Sequence, residues 1–524
     1  MNANDDVSAL ISAKPLFDGA DWDAETIKRA YDAIEDIALG ELGLDIYPNQ
    51  IEIITSEQML DAYASIGLPI MYRHWSFGKR FVRDEILYRK GFQGLAYEIV
   101  INSNPCISYI MEENSMTMQT LVLAHAAFGH NHFFKNNYLF RQWTDADGIL
   151  DYLAFARDYI ARCEEQHGHE AVERVLDAAH ALMDHGVNRY ARQPKNSLAQ
   201  EKRRAEERRL YEQQTYNDLW RTLPVSEIPV DIPAEARAAR EADNRRKLGL
   251  PEENLLLFIE KQSPTLEGWQ REIVRIVRKL AQYFYPQKQT RMMNEGCATF
   301  VHYEIMHRLH DRGLLTEGAM LEFLQSHTNV VAQPEFDSPR YSGINPYALG
   351  FAMMQDIKRI CIEPTEEDRR FFPGVAGNGD PYGTLRDGWA NYRDESFILQ
   401  FLSPNLIRKF RLFKVTDEAE EPTLSVDAIH DEGGYQEIRR ALSRQFDLSR
   451  REPDIQIADV DLAGDRCLIL KHTVYDGVML EEKTCSAVLR HVATLWAYNV
   501  RLLEVDAVSD SVLRTYEASP DGDA

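Results

Sequence analysis

Cysteine is scarce in this sequence: Cys106, Cys163, Cys297, Cys361, Cys467 and Cys485 stand apart along 524 residues, with no C-x-x-C pair. That spacing excludes a disulfide framework and a thiolate zinc knuckle. Positive charge is also short. Lys and Arg number 59 against 83 Asp and Glu, a formal net charge of -24, so the chain lacks the positive field that nonspecific nucleic-acid or anionic-membrane binding needs. No window approaches the ~18 consecutive apolar residues of a spanning helix. The opening residues, Met1 to Asp6, are acidic where a signal peptide needs positive charge. The expectation is a cytoplasmic protein. Phosphate-cradling P-loops, G-x-G-x-x-G turns and G-x-S-x-G elbows are missing, and no repeat recurs at solenoid periods.

What is present is the composition of a packed globular chain, 44% hydrophobic and 10% aromatic. Ile27, Ala30, Tyr31, Ile34 and Ile37 fall at helical spacing in Trp22 to Ala38. Short strands are expected at Ile51 to Thr55, Leu95 to Ile101 and Cys106 to Met111, the last two joined by the turn Asn102 to Pro105. A helix should follow, capped by Asn114 or Ser115. Residues 195–250 form a charged insertion or linker, broken by Pro224, Pro229 and Pro233. Beyond it, Trp269, Ile273, Ile276, Val277, Leu280 and Phe284 make an apolar stripe that should end at Pro286. Strands at Ile455 to Val460, Arg466 to His472 and Asn499 to Val505, with a helix from Cys485 to Trp496, predict a small α/β domain. The fold class is thus mostly helical α+β. The division is 1–194 and 251–434 as two parts of one large domain, 435–510 as the small one, and 511–524 as an acidic tail.

Two helical stretches carry polar groups on apolar faces. In Leu121 to Phe134, His125, Phe128 and His132 lie within about 40° of Leu121 on a regular helix. His130 stands about 140° from His125 at 3.6 residues per turn. A π-bulge at Gly129 would bring the two together. In Arg291 to His310, Glu295, His302, Met306 and Leu309 share a face, so a carboxylate and an imidazole sit where core belongs. A buried carboxylate needs a cation, a donor, a metal or a proton. If the two polar stripes meet, His125, His130 and Glu295 supply the N, N, O set of a catalytic zinc or other divalent-metal site with an open position, and His302 orients a ligand or moves a proton. The alternative is a core in which the histidines simply hydrogen-bond Glu295. A rival pattern, Glu304-x-x-His307 with Glu164-x-x-His167, matches the unit of ferritin-like di-iron bundles. Tyr72 to Arg80 mixes basic and aromatic residues and reads as a packed helix with snorkelling cations.

Several strings together resemble the SpoVR family, stage V sporulation protein R and its relatives: Tyr72-Arg-His-Trp-Ser-Phe-Gly-Lys, Gly129-His-Asn-His-Phe-Phe-Lys-Asn-Asn, Asn217-Asp-Leu-Trp, Gln282-Tyr-Phe-Tyr-Pro, Met293-Asn-Glu-Gly and Gly343-Ile-Asn-Pro-Tyr. The resemblance implies a role in spore cortex formation, or in stationary-phase and stress physiology beside a PrkA-type serine kinase and a von Willebrand A-like protein. A second likeness concerns chemistry. Leu123-Ala-His-Ala-Ala-Phe-Gly-His130 is similar to the L-A-H-E-x-G-H helix of zinc metallopeptidases with one residue added, and Asn294-Glu-Gly-Cys-Ala298 to the N-E-G-x-A helix of gluzincins. It implies metal ligands at His125, His130 and Glu295. The carboxylate that follows the first histidine in those enzymes and takes a proton from water is replaced by Ala126 and Ala127. The resulting expectation is a divalent-metal hydrolase of peptidoglycan-type amide bonds, with His302 or His132 standing in for the base. The alternative is a regulatory or scaffold protein that works with the kinase.

Overall fold

The computed structural model describes residues 14–64, 71–75, 82, 98–189, 245–416, 425–462 and 464–520. Most of the charged insertion and most of the Tyr72 to Arg80 segment lie outside them, as does the Asn217 to Trp220 string. The chain is mostly helical α+β and divides into two compact units, Met1–Arg162 with Tyr283–Arg451 and Cys163–Gln282 with Glu452–Ala524. Among the described residues, no helix is long and apolar enough to cross a membrane.

The first unit opens on the helix Ala24–Glu35, started by Asp23, whose side chain accepts from Thr26 N, and anchored by buried Ala30 and Ile34. Strands β1 (Asn49–Ile54), β2 (Glu98–Ile101) and β3 (Cys106–Met111) form a sheet in the order β1-β3-β2, with β3 parallel to β1 and antiparallel to β2. The pleat sorts their residues. Ile99 and Met111 pack on Met59 and Ala62 of the helix Ser56–Ala64. The register pairs Glu98 with Ile110 and Val100 with Ser108, so these four share the opposite face, where Val100 and Ile110 join the main core.

That face meets a composite helix. It begins as Met116–Val122, capped by Ser115, whose hydroxyl accepts from Met118 N at 3.2 Å. It widens to a π-helix over Leu123–His130 and returns to α over Asn131–Asn136. Against this histidine helix lies the glutamate helix Arg291–Asp311, followed by Glu317–Val330 and Pro346–Ile362. Glycine sets the separations. A Cβ on Gly129 would stand 2.5 Å from Ala298 Cα, and one on Gly296 would stand 2.6 Å from the Gly350 carbonyl carbon. Buried Asp394 closes the start of the glutamate helix, accepting from Met292 N at 2.8 Å and Met293 N at 2.9 Å. The stripe helix before it does not stop at Pro286. It runs Gly268–Gln289, giving up the one backbone bond that proline cannot donate, and the break comes at Thr290. A two-stranded antiparallel sheet, β4 (Lys414–Thr416) and β5 (Ser425–Ala428), completes the unit.

The second unit holds a four-stranded sheet in the order β6 (Ile455–Val460), β7 (Leu468–Val474), β8 (Val500–Asp506) and β9 (Val512–Ala518). The parallel pair β7 and β8 is joined through the helix Glu482–Trp496, as a parallel connection requires. β9 falls in the stretch read as an acidic tail. Its residues are mostly exposed, so an edge strand there leaves no apolar alternation to detect.

Replacing Gly296 by Ala should cost roughly 1–3 kcal/mol or more, because backbone rather than a flexible side chain occupies the space. Urea unfolding of the variant beside wild type checks this.

Candidate metal centre

The π-helix decides where the histidines point. Five residues of ordinary helix would leave His125 and His130 about 140° apart, whereas an i→i+5 repeat returns both to one side. Their rings meet edge to face with centroids 4.6 Å apart. Both are buried, at 5% and 7% exposure.

Each ring is oriented through its inner nitrogen. His130 Nδ1 lies 2.9 Å from Asn294 Oδ1. An amide oxygen only accepts, so His130 donates from Nδ1, which leaves Nε2 as the atom turned toward the carboxylates. His125 Nδ1 lies 2.9 Å from His302 Nδ1. The outer nitrogens converge on carboxylates. Glu295 Oε2 is 4.0 Å from His125 Nε2 and 3.6 Å from His130 Nε2, and Glu98 Oε1 is 3.6 Å from His125 Nε2. Ligand atoms of Glu98, His125 and His130 all lie within 4.8 Å of one another. Metal bonds of about 2.0–2.2 Å put tetrahedral neighbours roughly 3.3–3.6 Å apart, so the two imidazoles suit one shared ion with Glu98 or Glu295 as the carboxylate. Among the described residues no ion pair joins Glu98 or Glu295 to Lys or Arg.

The electrostatics agree with that donor set. Burial drives His125 and His302 well below the ordinary imidazole range, keeping them neutral, the form that ligates. Burial, and then Glu295 beside it, push the Glu98 carboxyl up to about 8. Two acids this close without a cation cannot both ionise cheaply, and a divalent ion removes that penalty. The carboxylates keep 18% and 19% of their side chains accessible, against 6% and 8% for the two imidazoles, so they are the more accessible groups of the centre.

Glu98 escaped the reading of the sequence, although its strand was expected. The available signal was a lone acid at the head of the apolar run Glu98-Ile-Val-Ile101, on the alternation that points inward. Other residues lie differently from the expectation. His132 does not join the centre: its Nδ1 is 3.0 Å from Asp45 N, with Asn136 Nδ2 at 3.2 Å, and its ring stands edge-on to Trp389. Two residues past the π turn, it has rotated away from the side that His130 faces. His302 touches His125 instead of a carboxylate, and its Nε2 lies 2.9 Å from His327 Nδ1. The di-iron alternative has no free carboxylate at its core. Glu304 is taken up by Lys358 at 2.7 Å, Arg308 at 2.6 Å and Tyr382 OH at 2.7 Å, and Glu164 pairs with exposed His169.

With this geometry in place, comparison with known families is decisive. Residues 21–451 match the SpoVR like protein family and residues 453–507 the SpoVR-like C-terminal domain; the chain belongs to the SpoVR family. It is 57% identical over 487 residues to the uncharacterized protein YcgB of Escherichia coli (strain K12), covering 93% of each chain. No solved structure matches it.

His132 yields a pH prediction. Burial pulls its imidazole down to about 4, while an unfolded histidine titrates near 6.5. The unfolded state therefore takes up the proton first. Stability is full above 6.5 and declines as pH falls toward 4, by about 3 kcal/mol for this one ring. His132→Asn, which keeps an acceptor for Asp45 N, should flatten the decline in a series of urea midpoints from pH 7 to pH 4.

Proposed function

We propose that this SpoVR-family chain is a cytoplasmic divalent-metal hydrolase of amide bonds. The observation that carries the reading is the convergence of His125 Nε2 and His130 Nε2 on the Glu295 carboxylate, with both inner nitrogens engaged elsewhere. His125, His130 and Glu295 hold the ion, and zinc suits two imidazoles and one carboxylate. When bound, the ion supplies Lewis-acid activation of water and of a substrate carbonyl. Glu98 is the second carboxylate. Arriving from β2 beside His125, it is the carboxylate left to take the proton from the attacking water, the work that Ala126 and Ala127 cannot do. Asn294 and His302 orient the two imidazoles. The first substrates to assay are peptidoglycan-type amides, in keeping with the cortex association that the family resemblance carries.

One observation favours a second reading. The loss of the carboxylate after His125 also fits a regulatory protein that retains a metal and works with a PrkA-type serine kinase and a von Willebrand A-like partner. Glu98→Gln separates the two. Under the first reading the variant loses hydrolysis at least a hundredfold; under the second, wild type and variant alike hydrolyse no peptidoglycan-type amide.

Metal analysis of untagged protein tests the centre itself. Wild type should contain about one equivalent of zinc after reconstitution, and His125→Ala and Glu295→Ala less than about a tenth. Wild type that stays metal-free at saturating zinc would sink the proposal.

A further inference from the structure

Three buried imidazoles run in file away from the centre. His125 Nδ1 lies 2.9 Å from His302 Nδ1, and His302 Nε2 lies 2.9 Å from His327 Nδ1. Each contact joins nitrogen to nitrogen, so each needs one N–H and one lone pair, and a neutral imidazole has one of each. All three rings are 5% exposed or less. So deep a burial favours the uncharged form of each ring.

Two proton patterns alone satisfy both contacts. In the first, His125 donates from Nδ1 to His302 Nδ1, His302 donates from Nε2 to His327 Nδ1, and His327 carries its proton on Nε2. The second is the reverse. His327 donates from Nδ1, His302 donates from its own Nδ1, and the His125 proton ends on Nε2, the atom facing Glu98 and Glu295. A proton there blocks ligation. The choice at His125, which also bonds the Ala298 backbone, is therefore coupled to a ring on another helix, Glu317–Val330. That ring is itself held by Phe351, edge-on at 4.7 Å, and by Phe323 and Tyr303 at 5.6 and 5.1 Å.

We propose that His302 and His327 are positioning residues that hold His125 in the tautomer with a free Nε2, so that readiness to bind metal is set two rings behind the ligand. The proposal rests on the metal reading above. His327 touches neither carboxylate, and nothing in its sequence setting marks it.

The test uses the full chain and zinc alone. Nitrogen-15 NMR of the histidine-labelled, zinc-loaded protein should find the proton on Nδ1 of His125 and on Nε2 of both His302 and His327. Zinc affinity should fall 10–100-fold in His302→Leu. It should stay within about threefold of wild type in His302→Asn, whose Oδ1 stands near the place of Nδ1 and accepts from His125. Loss of packing alone would weaken both variants alike. Equal affinities for the Leu and Asn variants, or a His302 proton on Nδ1 in the zinc-loaded wild type, overturn the file and leave the centre standing. Wild type that binds no zinc overturns both. Should His302→Leu fail to fold, the wild-type tautomers decide.

Discussion

The centre depends on how closely two helices approach. Gly129 lies directly against Ala298, and Gly296 directly against Gly350. Each glycine is the chain neighbour of a group at the centre, His130 in one case and Glu295 in the other. A methyl group at either contact would meet backbone, which cannot rotate aside as a flexible side chain can. The close approach in turn brings Asn294 within reach of His130 and His302 within reach of His125, so the same contacts that pack the core also orient the two imidazoles.

The approach would be useless with the wrong helical pitch. In an α-helix, His130 would point away from the glutamate helix; the π segment turns it inward, at the expense of the tighter α-helical repeat over Leu123–His130. The surroundings supply what that segment lacks. Ser115 caps the helix before it, and buried apolar residues such as Leu123, Phe128 and Phe133 lock it into the core. The glutamate helix is anchored at its start by Asp394, which reaches it from far along the chain.

Much of this was legible in the residues. The 3.6-residue periodicity exposed Glu295 and His302 as polar groups on an apolar face, and the five-residue spacing of His125 and His130 around a glycine was enough to anticipate a π turn. The small sheet and the C-terminal strands were also visible, because alternation or short apolar runs mark them. What stayed hidden was long-range or carried no pattern. Glu98 is one acid in a four-residue strand, and only the register of β2 against β3 shows that it faces the histidines. His327 looks like any histidine on an amphipathic helix until His302 is found beside it. β9 is too exposed for its pleat to appear in hydropathy, and Pro286 sits in a helix long enough to tolerate the bond it removes.

The centre is asymmetric in its freedom to change. On the helical side, glycine contacts and a file of rings fix nearly every atom, and a substitution there disturbs backbone. The remaining wall is β2, which pairs with β3 on one side among the described residues and contributes Glu98 through a single short run. Substitution can therefore act cheaply on the strand wall, changing what stands beside the two histidines while the glycine contacts behind them stay untouched.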